Sequence, residues 1–162
     1  MNGVEFSAAA VSAAALLAGC LSSAPEDPKA WLIPADTSLV VSSVTVASPY
    51  DGTRFVLLRE DGSVAFDGFN VFAARPAALL RTEVREKYKA PRLIVRRLAL
   101  DCRGENRREA LAELALESDG EELARAEASV PTADGDYSKA FAEAVRSAAE
   151  KLVPPEAESR VR

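Results

Sequence analysis

The chain has no histidine, only two cysteines and no excess of basic side chains: 20 Lys and Arg stand against 25 Asp and Glu, for a formal charge of −5. Each shortage closes off a class of function. Without histidine there is no side chain that titrates unperturbed near neutral pH, and no neutral imidazole to hold a metal. Ser-His-Asp and Cys-His sites cannot be assembled, which leaves carboxylates and lysine as the remaining acid–base groups. The acidic balance, with no zinc-finger or RNP pattern, argues against nucleic acid as a partner. A Gly-rich phosphate loop with its lysine is also missing, so the chain supplies no ATP hydrolysis. We therefore expect a protein that is not an enzyme, with no catalytic, cofactor-binding or metal residue.

What remains is ordinary for a folded chain. Of 162 residues, 48% are apolar and 28% charged, enough for one domain with a modest core. Its start is less ordinary. Phe6 to Ala18 is a run of small and apolar residues, too short to span a bilayer, which takes roughly 20 residues. It ends in Leu17-Ala18-Gly19-Cys20 and breaks abruptly into Leu21-Ser22-Ser23-Ala24-Pro25-Glu26-Asp27-Pro28. This pattern resembles a bacterial lipoprotein signal, in which the cysteine becomes the first mature residue and is acylated on sulfur and nitrogen. The segment Met1 to Glu5 departs from it, having one acid and no Lys or Arg. The competing reading is an alanine-rich helix buried in a cytoplasmic domain. The break after Cys20 favours a signal over 1–19 and a lipidated cysteine with a flexible tether over 20–28. Leu21, where an Asp would favour the inner membrane, points to the outer membrane, on the periplasmic side of a Gram-negative envelope. Cleavage before Cys20 leaves Cys102 without a partner for an intramolecular disulfide.

The domain proper is expected over 29–153, with a frayed tail over 154–162. Leu39 to Ala47 has strand composition, with Val40, Ser42, Val44 and Val46 on one side. Asp61-Gly62 separates strands over 53–59 and 63–66, because glycine readily takes the positive φ of a tight hairpin. Over 73–88 the period changes. Pro76 suits a first helical turn, and Ala77, Leu80, Val84 and Tyr88 would line one helix face. Pro91 ends that helix. The strand that follows would carry Ile94, Leu98, Leu100 and Cys102 on one side, with Arg96 interrupting.

Residues 106–130 admit two readings. Their Ala, Glu, Leu and Arg favour helix by propensity. Their alternation favours a hairpin about Asp119-Gly120, with Ala110, Ala112, Leu114 and Leu116 on one face and Ala124, Ala126, Ala128 and Val130 after the turn. A last helix carries Phe141, Val145, Ala148 and Leu152 on one face, with Asp134 or Asp136 as cap and Pro154-Pro155 as stop. The fold class expected is α+β: a two-layer domain, a mixed and mostly antiparallel sheet with two helices packed on one face.

Several short stretches carry a family resemblance: Trp31-Leu32-Ile33-Pro34, Pro49-Tyr50-Asp51, and Phe69-Asn70-Val71-Phe72-Ala73-Ala74-Arg75-Pro76 followed by Leu79-Leu80. With the cysteine signal and the order of elements, they make the chain similar to the auxiliary lipoproteins of ABC-type transport systems, the PqiC-like periplasmic lipoproteins. Phe72 and Val71 stand where that family usually has tryptophan and arginine. The resemblance implies a strand hairpin over 109–130. It also implies a non-catalytic component working beside an MCE-type substrate-binding protein and its ABC permease and ATPase, which move phospholipid or other hydrophobic molecules. The alternative is another envelope lipoprotein acting as an assembly or scaffold module.

Two sets of side chains are candidates. Tyr50, Asn70, Phe72 and Arg75 would form an aromatic and basic contact for the transporter partner, since these types anchor interfaces. In the competing reading Phe69 and Phe72 pack under the start of the helix while Asn70 satisfies local backbone. Asp51, Glu60, Asp61 and Asp67 are the acids that could pair for acid–base work, against the commoner role of turn acids as solvated or capping groups.

Overall fold

A computed structural model describes residues 27–33, 35–84, 90–104, 107–132 and 135–152. The expected signal, Cys20, most of the expected tether and the residues after 152 lie outside them. Nine strands and two helices follow in chain order: β1 (Lys29–Trp31), β2 (Ala35–Val41), β3 (Ser43–Val46), β4 (Arg54–Leu58), β5 (Val64–Phe72), α1 (Pro76–Leu79), β6 (Leu80–Val84), β7 (Arg92–Gly104), β8 (Arg107–Ser118), β9 (Glu121–Pro131) and α2 (Tyr137–Leu152). The main sheet has seven strands in the order β1-β5-β4-β7-β8-β9, with β3 also paired to β7, and β2 and β6 form a separate parallel pair. It is mixed: β4–β5, β7–β8 and β8–β9 are antiparallel, while β1–β5, β3–β7 and β4–β7 are parallel. The class is α+β, as expected.

Residues 107–131 form the long hairpin. Asp119 and Gly120 both take positive φ, 53° and 85°, which gives the turn the twist that matches its strands. The register sets Ala110 against Val130, Ala112 against Ala128, Leu114 against Ala126 and Leu116 against Ala124, the face that the alternation marks. α2 lies over β8 and β9 and also meets β2. Its Ala140, Phe141, Ala144, Val145, Ala148 and Leu152 join the strand alanines in one buried cluster. Alanine against alanine brings helix and sheet close together. The helix starts at Asp136, whose carboxylate accepts the Lys139 N–H at 3.1 Å.

Three local expectations are corrected. The helix expected over 73–88 is a single turn, Pro76–Leu79, and the chain then becomes β6, paired in parallel with β2; 85–89 lie outside the described residues. Leu80 and Val84 satisfy a period of two as well as their helical spacing, and β2 supplies a ladder that decides between them. The strand over 39–47 breaks at Ser42, whose N–H bonds the Pro91 carbonyl. The break moves the phase, so Leu39 and Val41 are buried while Val40 is exposed. In β7 the register slips between Val95 and Arg97, which buries Leu93 and Val95, then Leu98 and Leu100, and turns Ile94 to the opposite side.

The face of the sheet away from α2 is built differently. Near β4 it carries a small apolar cluster, Val56, Leu58, Ala99 and Leu111, against which Tyr50 packs. Phe66 and Val64 stand opposite Val56 and Leu58 and are about half exposed. Toward β9 it is ionic. Glu113 is buried yet pairs with both Arg97 and Arg125, and Arg97 also reaches Glu127 at 2.6 Å. Arg92–Glu117 and Arg103–Asp101 continue the pattern.

Candidate functional site

The four side chains expected to make one contact surface are distributed among three roles. Phe72 ends β5 and is 2% exposed. Its ring packs on Phe55 at 4.4 Å between centroids and on Phe141 at 5.3 Å, so it belongs to the core and cannot meet a partner. This corrects its assignment as a contact residue. Asn70 is half-buried and fully engaged: its Oδ1 accepts the Trp31 indole N–H at 2.9 Å, and its Nδ2 donates to Asp67 Oδ2 at 2.9 Å. Its role is to join β1 to β5. Tyr50 is half-buried, packed against both apolar clusters. Arg75 alone of the four is exposed, just ahead of Pro76.

Arg75 lines an open cleft of about 500 Å³ with Ser48, Pro49, Asp51, Thr53, Arg54 and Phe66. The loop leading into β4 makes one wall and β5 contributes Phe66. The Arg54 guanidinium lies 4.4 Å from the centre of the Phe66 ring, a cation–π contact. Neither Arg54 nor Arg75 has a carboxylate partner among the described residues. The cleft thus offers two cations, one exposed aromatic and a single acid, Asp51. Chemically it suits an acidic or aromatic side chain of a partner. The sequence pattern marks Arg75 but misses Arg54 and Phe66. Their hairpin was legible, and the pairing of an arginine with an aromatic twelve residues on was its unread signal.

Two of the four acids tie local backbone. Asp51 is exposed at the cleft, and Glu60 and Asp61 occupy the β4–β5 turn. Asp61 accepts the Ser63 N–H at 2.9 Å, and its hydrogen bonds with Ser63 hold its carboxyl below the usual range. Asp67 accepts from Phe69 N–H at 2.7 Å, Asn70 N–H at 3.0 Å and the Asn70 amide. Partial burial works against its ionisation, but the Asn70 and Phe69 hydrogen bonds outweigh it, with help from Arg108, and hold the carboxyl low. Both shifts run opposite to those of a general acid, whose pKa is raised. Among the described residues no group of three or more potential metal ligands gathers. Cys102 is a free, half-buried thiol on β7, pushed up chiefly by burial.

Asp67 has a second consequence. Between β4 and β5 the register jumps from Arg54 opposite Val71 to Val56 opposite Phe66, so β5 carries a bulge over Asp67, Gly68 and Phe69. The Asp67 carboxylate ties that bulge, and Phe69 projects from it at 62% exposure. Phe69 therefore does not pack beneath the helix start.

No family model matches the chain, and no curated protein matches it. Among solved structures it is similar to an uncharacterized protein at a TM-score of 0.55 and 14% identity, over 78% of this chain and 95% of the other. A Xanthomonas campestris protein of family DUF330 aligns at a TM-score of 0.49 and 19% identity, over 80% of this chain and 91% of that one. The first of these likenesses is one of fold.

Proposed function

We propose that the chain is a non-catalytic, lipid-anchored auxiliary component of an ABC-type, MCE-associated transporter that moves phospholipid or other hydrophobic molecules across the cell envelope. It is held through Cys20, on the periplasmic side of the outer membrane. The observation that carries the reading is the cysteine signal followed, nine positions later, by the first strand of a domain whose hairpin and terminal helix keep the order that the family resemblance implies. The cleft of Arg54, Phe66 and Arg75 supports it as the surface toward the MCE-type protein, because exposed arginine and aromatic groups anchor interfaces. The permease and ATPase supply the energy; this chain supplies position.

Two measurements test the reading together. Cys20→Ala should abolish acylation and release the protein from membranes. The acylated chain should capture the MCE-type protein in a pull-down, and Arg75→Glu should lower that capture while leaving the melting curve unchanged. Recovery of outer-membrane assembly or cell-wall proteins alone would replace the transporter reading with that of a scaffold lipoprotein.

A further inference from the structure

We infer that the Phe69 bulge is a bilayer-contact point, which seats the domain on the surface of the membrane that holds its lipid anchor. The inference rests on the lipoprotein reading and extends it, from how the protein is anchored to which edge faces the lipid.

Three observations converge on this edge. The first is where the tether enters. β1 runs parallel to β5 with Lys29 opposite Asn70, so the tether joins the domain beside residue 69. Nine positions separate Cys20 from Lys29, and even fully extended they reach only about 30 Å. An acylated Cys20 therefore holds this edge within about 30 Å of the headgroups, while β9, four strands across the sheet from β5, is free to stand roughly 20 Å farther off. The second is the bulge itself. Its three hydrogen bonds to Asp67 hold an apolar ring outward, and β1 covers β5 only from Asn70 to Phe72, leaving the strand before it without a neighbour on that side among the described residues. The third is the chemistry around it. Lys29 is exposed, its ammonium 4.1 Å from the centre of the Trp31 ring, and the Trp31 N–H is bound to Asn70. Lys29 thus sits on the Trp31 and Asn70 side of the strand pair, and an outward phenyl ring with a cation along the same edge suits the interface of an anionic bilayer, where apolar groups enter the acyl boundary and cations stay among the phosphates.

Leu123 on β9 supplies a matched control: it is 59% exposed against 62% for Phe69, but at the far edge. The test attaches an environment-sensitive fluorophore to Phe69→Cys or Leu123→Cys, each in the acylated full chain with Cys102→Ser. Each is reconstituted into vesicles of phosphatidylethanolamine and phosphatidylglycerol, with and without doxyl-labelled lipid. The mass of the Cys20 peptide reports acylation independently. The expected result is acylated Cys20, with a blue shift and doxyl quenching at position 69 and neither at 123. Acylated Cys20 with both labels equally water-exposed overturns the inference and leaves the anchor standing. A shift at 69 that appears only on adding the MCE-type protein makes the bulge a protein contact and also overturns it. Absence of acyl chains removes the anchor and the inference together.

Discussion

The two faces of β8 are made from the same few residue types and do opposite things. Toward α2 it presents Ala110, Ala112 and Leu114, all without exposed surface. Toward the other side it presents Leu111 and Glu113, each 2% exposed. One face is excluded from water by a helix. On the other, arginines from both neighbouring strands form ion pairs with the acid. The lesson is that burial on the open face depends on pairing, whereas on the helical face it depends on shape.

That difference ranks the effects of substitution. The largest is expected at Phe141, fully buried between Phe55 and Phe72: Phe141→Ala should cost about 3–5 kcal/mol in urea unfolding, because the ring leaves a cavity that a sheet and a helix cannot both close. Ala112→Leu tests shape directly. It forces a larger side chain between β8 and α2 and should cost about 1–3 kcal/mol by the same measurement, while the equivalent change at exposed Ser129 should be near neutral. Glu113→Ala tests pairing. It strands Arg97 and Arg125, but both are partly exposed and regain water, so about 1–2 kcal/mol is expected, well short of the loss for a fully buried pair. A larger loss at Glu113 than at Phe141 would reverse the ranking and make the ionic face the stronger one.

The smallest effect is a dependence on pH. Asp67 has a folded pKa below its unfolded value, so the unfolded chain binds the proton more readily. Its contribution is present above the unfolded pKa and is lost as pH falls through the depressed folded one. Urea midpoints should therefore fall from pH 5 to pH 3, and Asp67→Asn should reduce that fall. An unchanged fall in the variant would assign it to other depressed acids, such as Asp101 beside Arg103.

The sequence was legible where one rule held along a whole element. The β8–β9 hairpin alternates on either side of an Asp-Gly turn, with one register shift at Leu116 and Glu117, and α2 keeps one stripe from cap to end. Propensity there favours a helix and period a hairpin, and it was the family resemblance that implied the strands. The illegible places are those where one residue shifts the phase. Ser42 and the slip between Val95 and Arg97 each turn a strand over, and nothing local distinguishes such a residue from an ordinary polar one. Residues 80–84 were lost for a different reason: the β2 edge that recruits them is about forty residues upstream. Of the candidate site, Arg75 was visible as a charge beside a helix start. The burial of Phe72 was not, because its partners Phe55 and Phe141 come from other elements.

The alanine face of the long hairpin also fixes an order of events during synthesis. Alanines give two paired strands little to hold each other with, and the hairpin's own composition favours helix. β7 pairs with β8 on its other side, but the alanine face leaves water only when α2 arrives to cover it, and α2 is the last described element of the chain. A nascent polypeptide halted near residue 131 thus holds both strands of this edge hairpin and lacks the helix that covers them. A truncation that removes Tyr137–Leu152 should therefore cost the hairpin along with the helix.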